Sequence, residues 1–144
     1  SHKAIIKIAK EKNLKNVMVF EDDFIVEPNW HEILSSAIQE LKNHNWHNFY
    51  LGYLLNNAWG LRVDLSENLG RCLSKKHRGI QLTTALAYNS TIFDFLIENI
   101  DPFNYRNGRE GHVDKFYCKE RRIMKFYMKP PMVHQDPELG TDIQ

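Results

Sequence analysis

Four apolar residues, Val17-Met18-Val19-Phe20, run directly into three consecutive carboxylates, Glu21-Asp22-Asp23. A short apolar run of this kind reads as a buried strand. Three acidic side chains at its exit repel one another. At the C-terminal end of a strand in an open α/β sheet, where ligands bind, such a cluster serves something positive. The economical candidate is a divalent cation that itself holds a phosphate-bearing substrate. Side chains alternate along a strand, so Glu21 and Asp23 can face one way and Asp22 the other. Two oxygens converging on one point suit Mg²⁺ or Mn²⁺, which keeps open positions for water and phosphate oxygens. The competing reading is an acidic turn of ordinary surface carboxylates.

The rest of the chain supplies the frame for that strand. Ala4, Ile5, Ile8 and Ala9 recur at helical spacing among lysines and predict a helix ending near Asn13. Pro28-Asn29 starts a second helix, with Trp30, Ile33, Leu34, Ala37, Ile38 and Leu41 as its buried stripe. Asn43–Asn48 reads as a polar turn and Phe49–Leu51 as a strand. Helix–strand–helix–strand order implies an α/β layered sheet with parallel neighbours. Residues 53 to 79 lack periodicity, and a loop of that length is uncommon in a compact domain unless it is functional. Part of it could pair as a hairpin, Trp59–Asp64 against Arg71–Leu73. Gly79–Tyr88 reads as a strand, followed by a helix capped by Asn89 or Ser90 that runs to Ile100 and stops at Asp101-Pro102. Gly108–Gly111 is a loop, Val113–Arg121 a short helix with Val113, Phe116 and Tyr117 inward, and Met124–Met128 a last strand broken by Pro130-Pro131. The tail Met132–Gln144 reads as loop.

Composition narrows the function classes. The chain has 144 residues, which suits one domain spanning residues 1 to 144. The formal net charge of +1 gives no support for a nucleic-acid partner or a membrane-surface field. Aromatics at 12% argue against disorder. No apolar stretch approaches the roughly 20 residues of a membrane-spanning helix, so no transmembrane segment is expected. Cys72 and Cys118 form neither a CxxC nor a ligand cluster, which fits a reducing compartment. Ser1-His2-Lys3-Ala4 opens straight into a helical pattern, so the chain reads as a piece of a longer one.

Other residues admit chemistry with a plainer reading beside it. His134 follows the Pro-Pro break and is a candidate further ligand for Mn²⁺, against a solvated surface histidine. Asp114 follows Gly111-His112-Val113, either as a helix-start carboxylate favoured by the dipole or as a general base taking a proton from an acceptor hydroxyl. Lys75-Lys76-His77-Arg78 could neutralise phosphate or lie in a solvated loop. Tyr50, Tyr53, Trp59 and Tyr88 could stack on a sugar or fill the core.

Taken in order, these pieces resemble glycosyltransferase family 25, the bacterial lipooligosaccharide glycosyltransferases and collagen galactosyltransferases. The resemblance is carried by Ser1-His2 … Ala9, by Val17–Asp23, by Thr83-Thr84-Ala85-Leu86-Ala87-Tyr88, by Val113-Asp114, and by Gln135-Asp136 … Gly140-Thr141-Asp142-Ile143. It spans essentially the whole chain. Leu86 stands where the family often has His, and Thr141 where Ser is usual. The resemblance implies an α/β fold of GT-A type, a mixed, mostly parallel sheet flanked by helices, here without the first βα units that carry much of the nucleotide pocket. It implies metal-assisted transfer of a hexose, galactose or glucose, from a nucleotide-sugar (a UDP-hexose) to a glycan or other hydroxyl acceptor. Glu21, Asp23 and His134 are then expected toward Mn²⁺ or Mg²⁺, Asp22, Thr84 and Tyr88 toward the donor, and Asp114 as base. A cytoplasmic place, or one peripheral to the inner membrane, goes with this reading. Two rivals belong to other classes: a non-catalytic carbohydrate-binding or assembly domain on the same fold, and a Mg²⁺-dependent phosphoryl-transfer enzyme. The lack of a Walker-type Gly-Lys-Ser/Thr counts against NTP hydrolysis.

Overall fold

The computed structural model describes residues 1–56, 61–75, 79–100 and 113–138. In chain order the elements are α1 (His2–Glu11), β1 (Asn16–Phe20), β2 (Phe24–Val26), α2 (Trp30–Leu41), β3 (Asn48–Asn56), β4 (Arg62–Asp64), β5 (Leu69–Cys72), β6 (Gly79–Asn89), a 3₁₀ turn (Ser90–Ile92), α3 (Phe93–Asn99), α4 (Val113–Lys119), β7 (Lys125–Met128) and β8 (Val133–Gln135). The fold is mixed α/β. One sheet of six strands runs β1-β6-β3-β7-β5-β4, and β2 and β8 form a separate antiparallel pair. Among the described residues, no helix is long and apolar enough to cross a membrane.

The expectation of a mostly parallel sheet is corrected here. Only β3 and β7 pair in parallel; β6 is antiparallel to both β1 and β3, and β5 is antiparallel to β7 and β4. The β1–α2–β3 crossover does leave β1 and β3 pointing the same way. The slot between them, however, is filled by β6, which arrives from the middle of the chain in the opposite sense. A second correction concerns burial. β1 lies at the edge of the sheet, with Met18 and Phe20 exposed and only Val19 buried, so it is not a buried strand.

Two apolar layers hold the sheet. On one face Ile6 and Ala9 of α1, Phe93 and Leu96 of α3 and Tyr117 of α4 pack on Val19, Tyr50, Ile80, Leu86, Tyr88 and Tyr127. On the other, Ala37 and Leu41 of α2 pack on Phe49, Leu51, Leu69, Ala85, Ala87, Phe126 and Met128, joined by Val133 of β8. Full burial of side chains of this size contributes roughly 1.5–3 kcal/mol each. Leu86 is among them, at 0% exposure, opposite Val19 on one neighbouring strand and Tyr50 on the other. The inward stripe of α1 is His2, Ile5, Ile6 and Ala9, while Ile8, expected on that face, is 51% exposed. The i, i+3, i+4, i+7 spacing explains the difference, because Ile6 and Ile8 lie about 200° apart around a helix.

The middle segment folds as the expected hairpin, with Arg62 opposite Cys72 and Asp64 opposite Gly70. Its turn is clamped from α2: Glu40 accepts from the Ser66 hydroxyl and, at 2.9 Å, from the Asn68 amide. The expected last strand is not the last. Beyond Pro130-Pro131, Val133–Gln135 pairs with β2, where a loop was expected. Trp59, the run Lys76-His77-Arg78, Asp101-Pro102, Gly108–Gly111 and Gly140-Thr141-Asp142-Ile143 lie outside the described residues.

Candidate functional site

The acidic triplet occupies the turn between β1 and β2. Phe20 and Phe24 pack across that turn, ring centroids 5.0 Å apart. Its backbone is tied at both ends. Glu21 N–H donates to the Thr84 carbonyl (2.9 Å), and the Asp23 carbonyl accepts from Asp136 N–H (2.7 Å). The backbone of the triplet is therefore held by β6 on one side and by the chain after β8 on the other.

Glu21 is the hub of a polar chain. Its Oε1 accepts from the Thr83 hydroxyl at 2.5 Å and lies 3.5 Å from His2 Nε2. His2 Nδ1 in turn lies 2.7 Å from the Tyr88 hydroxyl. A carboxylate can only accept, so the ring nitrogen facing Glu21 carries a proton; in the neutral ring Nδ1 then accepts from Tyr88 O–H. The His2 imidazole foremost, and the Thr83 hydroxyl with it, hold the Glu21 carboxyl below the usual carboxylate range against the opposing effect of burial. Burial drives the Tyr88 phenol far up, so it serves as a fixed donor.

Thr83 reaches Glu21 because β6 is irregular. Between the pairs Gly52↔Ala85 and Leu54↔Gln81, β6 spends four steps where β3 spends two. A bulge of this sort re-aims side chains and is frequent beside functional sites. Within it Leu82 has φ 76°, in the left-handed region that a branched, non-glycine residue enters only at a cost of order 1–2 kcal/mol.

Asp23 is built differently. Its Oδ2 accepts from the Gln135 amide at 2.6 Å. Its Oδ1 is buried and has no hydrogen-bond partner among the described residues. A buried carboxyl oxygen without a partner is costly to keep, and a cation or a ligand N–H or O–H would satisfy it. Asp22 is exposed.

The other sequence candidates fall as follows. Thr84 and Tyr88 are buried, at 2% and 0% exposure, so what they offer the site is a backbone carbonyl and a hydroxyl passed on through His2. His134 Nε2 pairs with Glu27 Oε1 at 2.8 Å. It sits beside Gln135 on β8, and neighbouring strand residues face opposite ways, so the side that holds Asp23 is not the side His134 faces. Among the described residues no three His, Cys, Asp or Glu side chains gather in a metal-holding group. Asp114 lies in the first turn of α4, where its Oδ1 accepts from Lys115 N–H at 2.7 Å. Tyr50 belongs to the core, and the half-buried Tyr53 donates to the Met128 carbonyl. His2, Thr83 and Gln135 lie inside the segments that carried the resemblance, yet none stood out as a site residue; their joint signal is a polar side chain in each of three segments flanking the acidic turn.

No known protein-family model matches this chain, and no curated protein matches it.

Proposed function

We propose that the protein is a glycosyltransferase of GT-A type, transferring galactose or glucose from a UDP-hexose to a hydroxyl of a glycan acceptor with the help of Mn²⁺ or Mg²⁺. One observation carries the reading. Four segments that resemble glycosyltransferase family 25 meet in one place: Tyr88–His2–Glu21–Thr83 form a connected chain, and Asp23 is bound by Gln135 from the far end of the sequence. Scattered weak motifs have no reason to converge unless they serve one site.

The donor set suits a hard divalent cation. Asp23 Oδ1 is a buried carboxylate oxygen awaiting a partner, and Glu21 is kept ionised by its neighbours. Glu21 and Asp23 are the residues that would hold the cation, which when bound supplies charge stabilisation to a departing nucleoside diphosphate. Thr83 and His2 fix the Glu21 carboxylate in one orientation, and Gln135 does the same for Asp23, so little rearrangement is needed on binding. Asp22, exposed at the centre of the turn, is free to meet donor hydroxyls. Asp114 is the proposed base for the acceptor hydroxyl. His134, paired with Glu27, has no part in this scheme.

Calorimetry with UDP-galactose and UDP-glucose, with Mn²⁺ and again in EDTA, tests the reading. Mn²⁺-dependent donor binding that disappears in Asp23→Asn is the expected result. Binding of glycans without any donor binding or transfer would replace it with the non-catalytic carbohydrate module.

A further inference from the structure

A second polar site lies at the other end of the sheet. Lys125, the first residue of β7, pairs with Asn48 at the start of β3. β1 runs in the same direction as β3, and Glu21 follows its far end. The acidic turn and Lys125 thus sit at opposite ends of the strands.

Beside Lys125 is a cavity of about 270 Å³ where β5 leaves the sheet and β7 enters it. Consecutive residues of both segments line it, so it lies across the strand ends rather than on one face. Arg71, Arg121, Lys125 and Ser74 are in its wall, and among the described residues that line it there is no Asp or Glu. Three cationic residues thus contribute to the wall. Lys125 is 1% exposed, and its ammonium donates to the Ser74 hydroxyl, to the Glu120 carbonyl (2.6 Å) and to the Ile123 carbonyl (3.4 Å), all neutral acceptors. The Glu120 carboxylate, which could have balanced it, is held at both oxygens by Arg122 (2.8 and 3.0 Å). Arg71 Nε is buried with no hydrogen-bond partner among the described residues, and its guanidinium carbon lies 5.9 Å from the centroid of the Phe126 ring. Arg121 is exposed and makes no ion pair among the described residues.

We infer that this cavity binds the phosphate group of a small molecule, with Arg71 and Arg121 contacting its oxygens and Lys125 supplying charge from behind Ser74. A phosphate carries close to two negative charges at neutral pH and several acceptor oxygens, which suits three clustered cations and a donor without a partner. A single carboxylate matches them less well. Burial pushes the Lys125 ammonium down to about 8, against the opposing pull of the Glu120 carboxylate and the two thiols nearby.

The probe is inorganic phosphate, followed by amide NMR shifts in EDTA at ionic strength held constant with NaCl, with acetate as the singly charged control. EDTA keeps divalent cations off the acidic turn, so the outcome does not depend on the glycosyltransferase reading. Saturable shifts at Arg71, Ser74 and Arg121 are expected. Arg121→Gln, a change at an exposed side chain, weakens them roughly tenfold or more. In the unsubstituted protein the Lys125 amine titrates higher once phosphate is bound. The absence of saturation, equal affinity in Arg121→Gln, or acetate binding as well as phosphate would each overturn the assignment.

Discussion

Thr83 shows how much one hydroxyl can decide. It gives Glu21 a short, charge-assisted hydrogen bond from a nearly buried position. Thr83→Val keeps the β-branched shape and removes the donor, and is expected to cost about 1–2 kcal/mol in urea unfolding at pH 7. Glu21 has a lowered folded-state pKa, so its contribution is present above the ordinary value of 4.5 and is lost as pH falls through the folded value. The gap between the two proteins therefore narrows in acid. Lys125 has the opposite sign. Its folded pKa lies near 8 against an ordinary 10.5, so the charged form is disfavoured by folding and stability rises with pH above about 8. Relative to Lys125→Met, the unsubstituted protein gains about 1 kcal/mol between pH 7 and 9, measurable as a shift in urea midpoint.

At the level of elements, the β4–β5 hairpin depends on a contact outside itself. A two-stranded ribbon of three or four residues is marginal alone. Glu40 of α2 fixes its turn through Ser66 and Asn68. Glu40→Ala is expected to lower global stability by only about 1 kcal/mol while speeding amide exchange across Arg62–Asp64 several-fold, since local opening costs less than unfolding. This hairpin was legible in the sequence, as were α1, α2, β6 and the start at Asn89, because period and cap signals are local. Strand order was not legible. The insertion of β6 between β1 and β3 is a long-range event with no local mark. β8 escaped notice because Val133-His134-Gln135 is too short to show a period and follows two prolines. At the site, the acidic turn could be read directly, but its supports could not. The resemblance pointed to Thr84, whereas Thr83, beside the bulge at Leu82, is the residue whose hydroxyl reaches Glu21.

For the molecule as a whole, the joint between the six-stranded sheet and the β2–β8 pair is narrow. A Cβ on Gly52 would lie 2.7 Å from the Val133 carbonyl oxygen and 3.2 Å from Val133 Cβ, too close for an unmoved backbone. The approach is sealed by Met132 N–H donating to the Leu51 carbonyl at 3.0 Å. Gly52→Ala is expected to destabilise by about 1–3 kcal/mol through displacement of β8. Because β8 carries Gln135, exchange of the Asp136 amide bound to the Asp23 carbonyl should quicken in the same variant.

The polar chain around Glu21 also has a kinetic meaning. Its bonds span 86 residues from His2 to Tyr88, 62 from Glu21 to Thr83 and 112 from Asp23 to Gln135. Contacts of such high sequence separation form late, after large loops have closed. No nascent or clipped form missing α1, β6 or β8 can assemble the full constellation, so these hydrogen bonds form together only once those elements have reached their native arrangement.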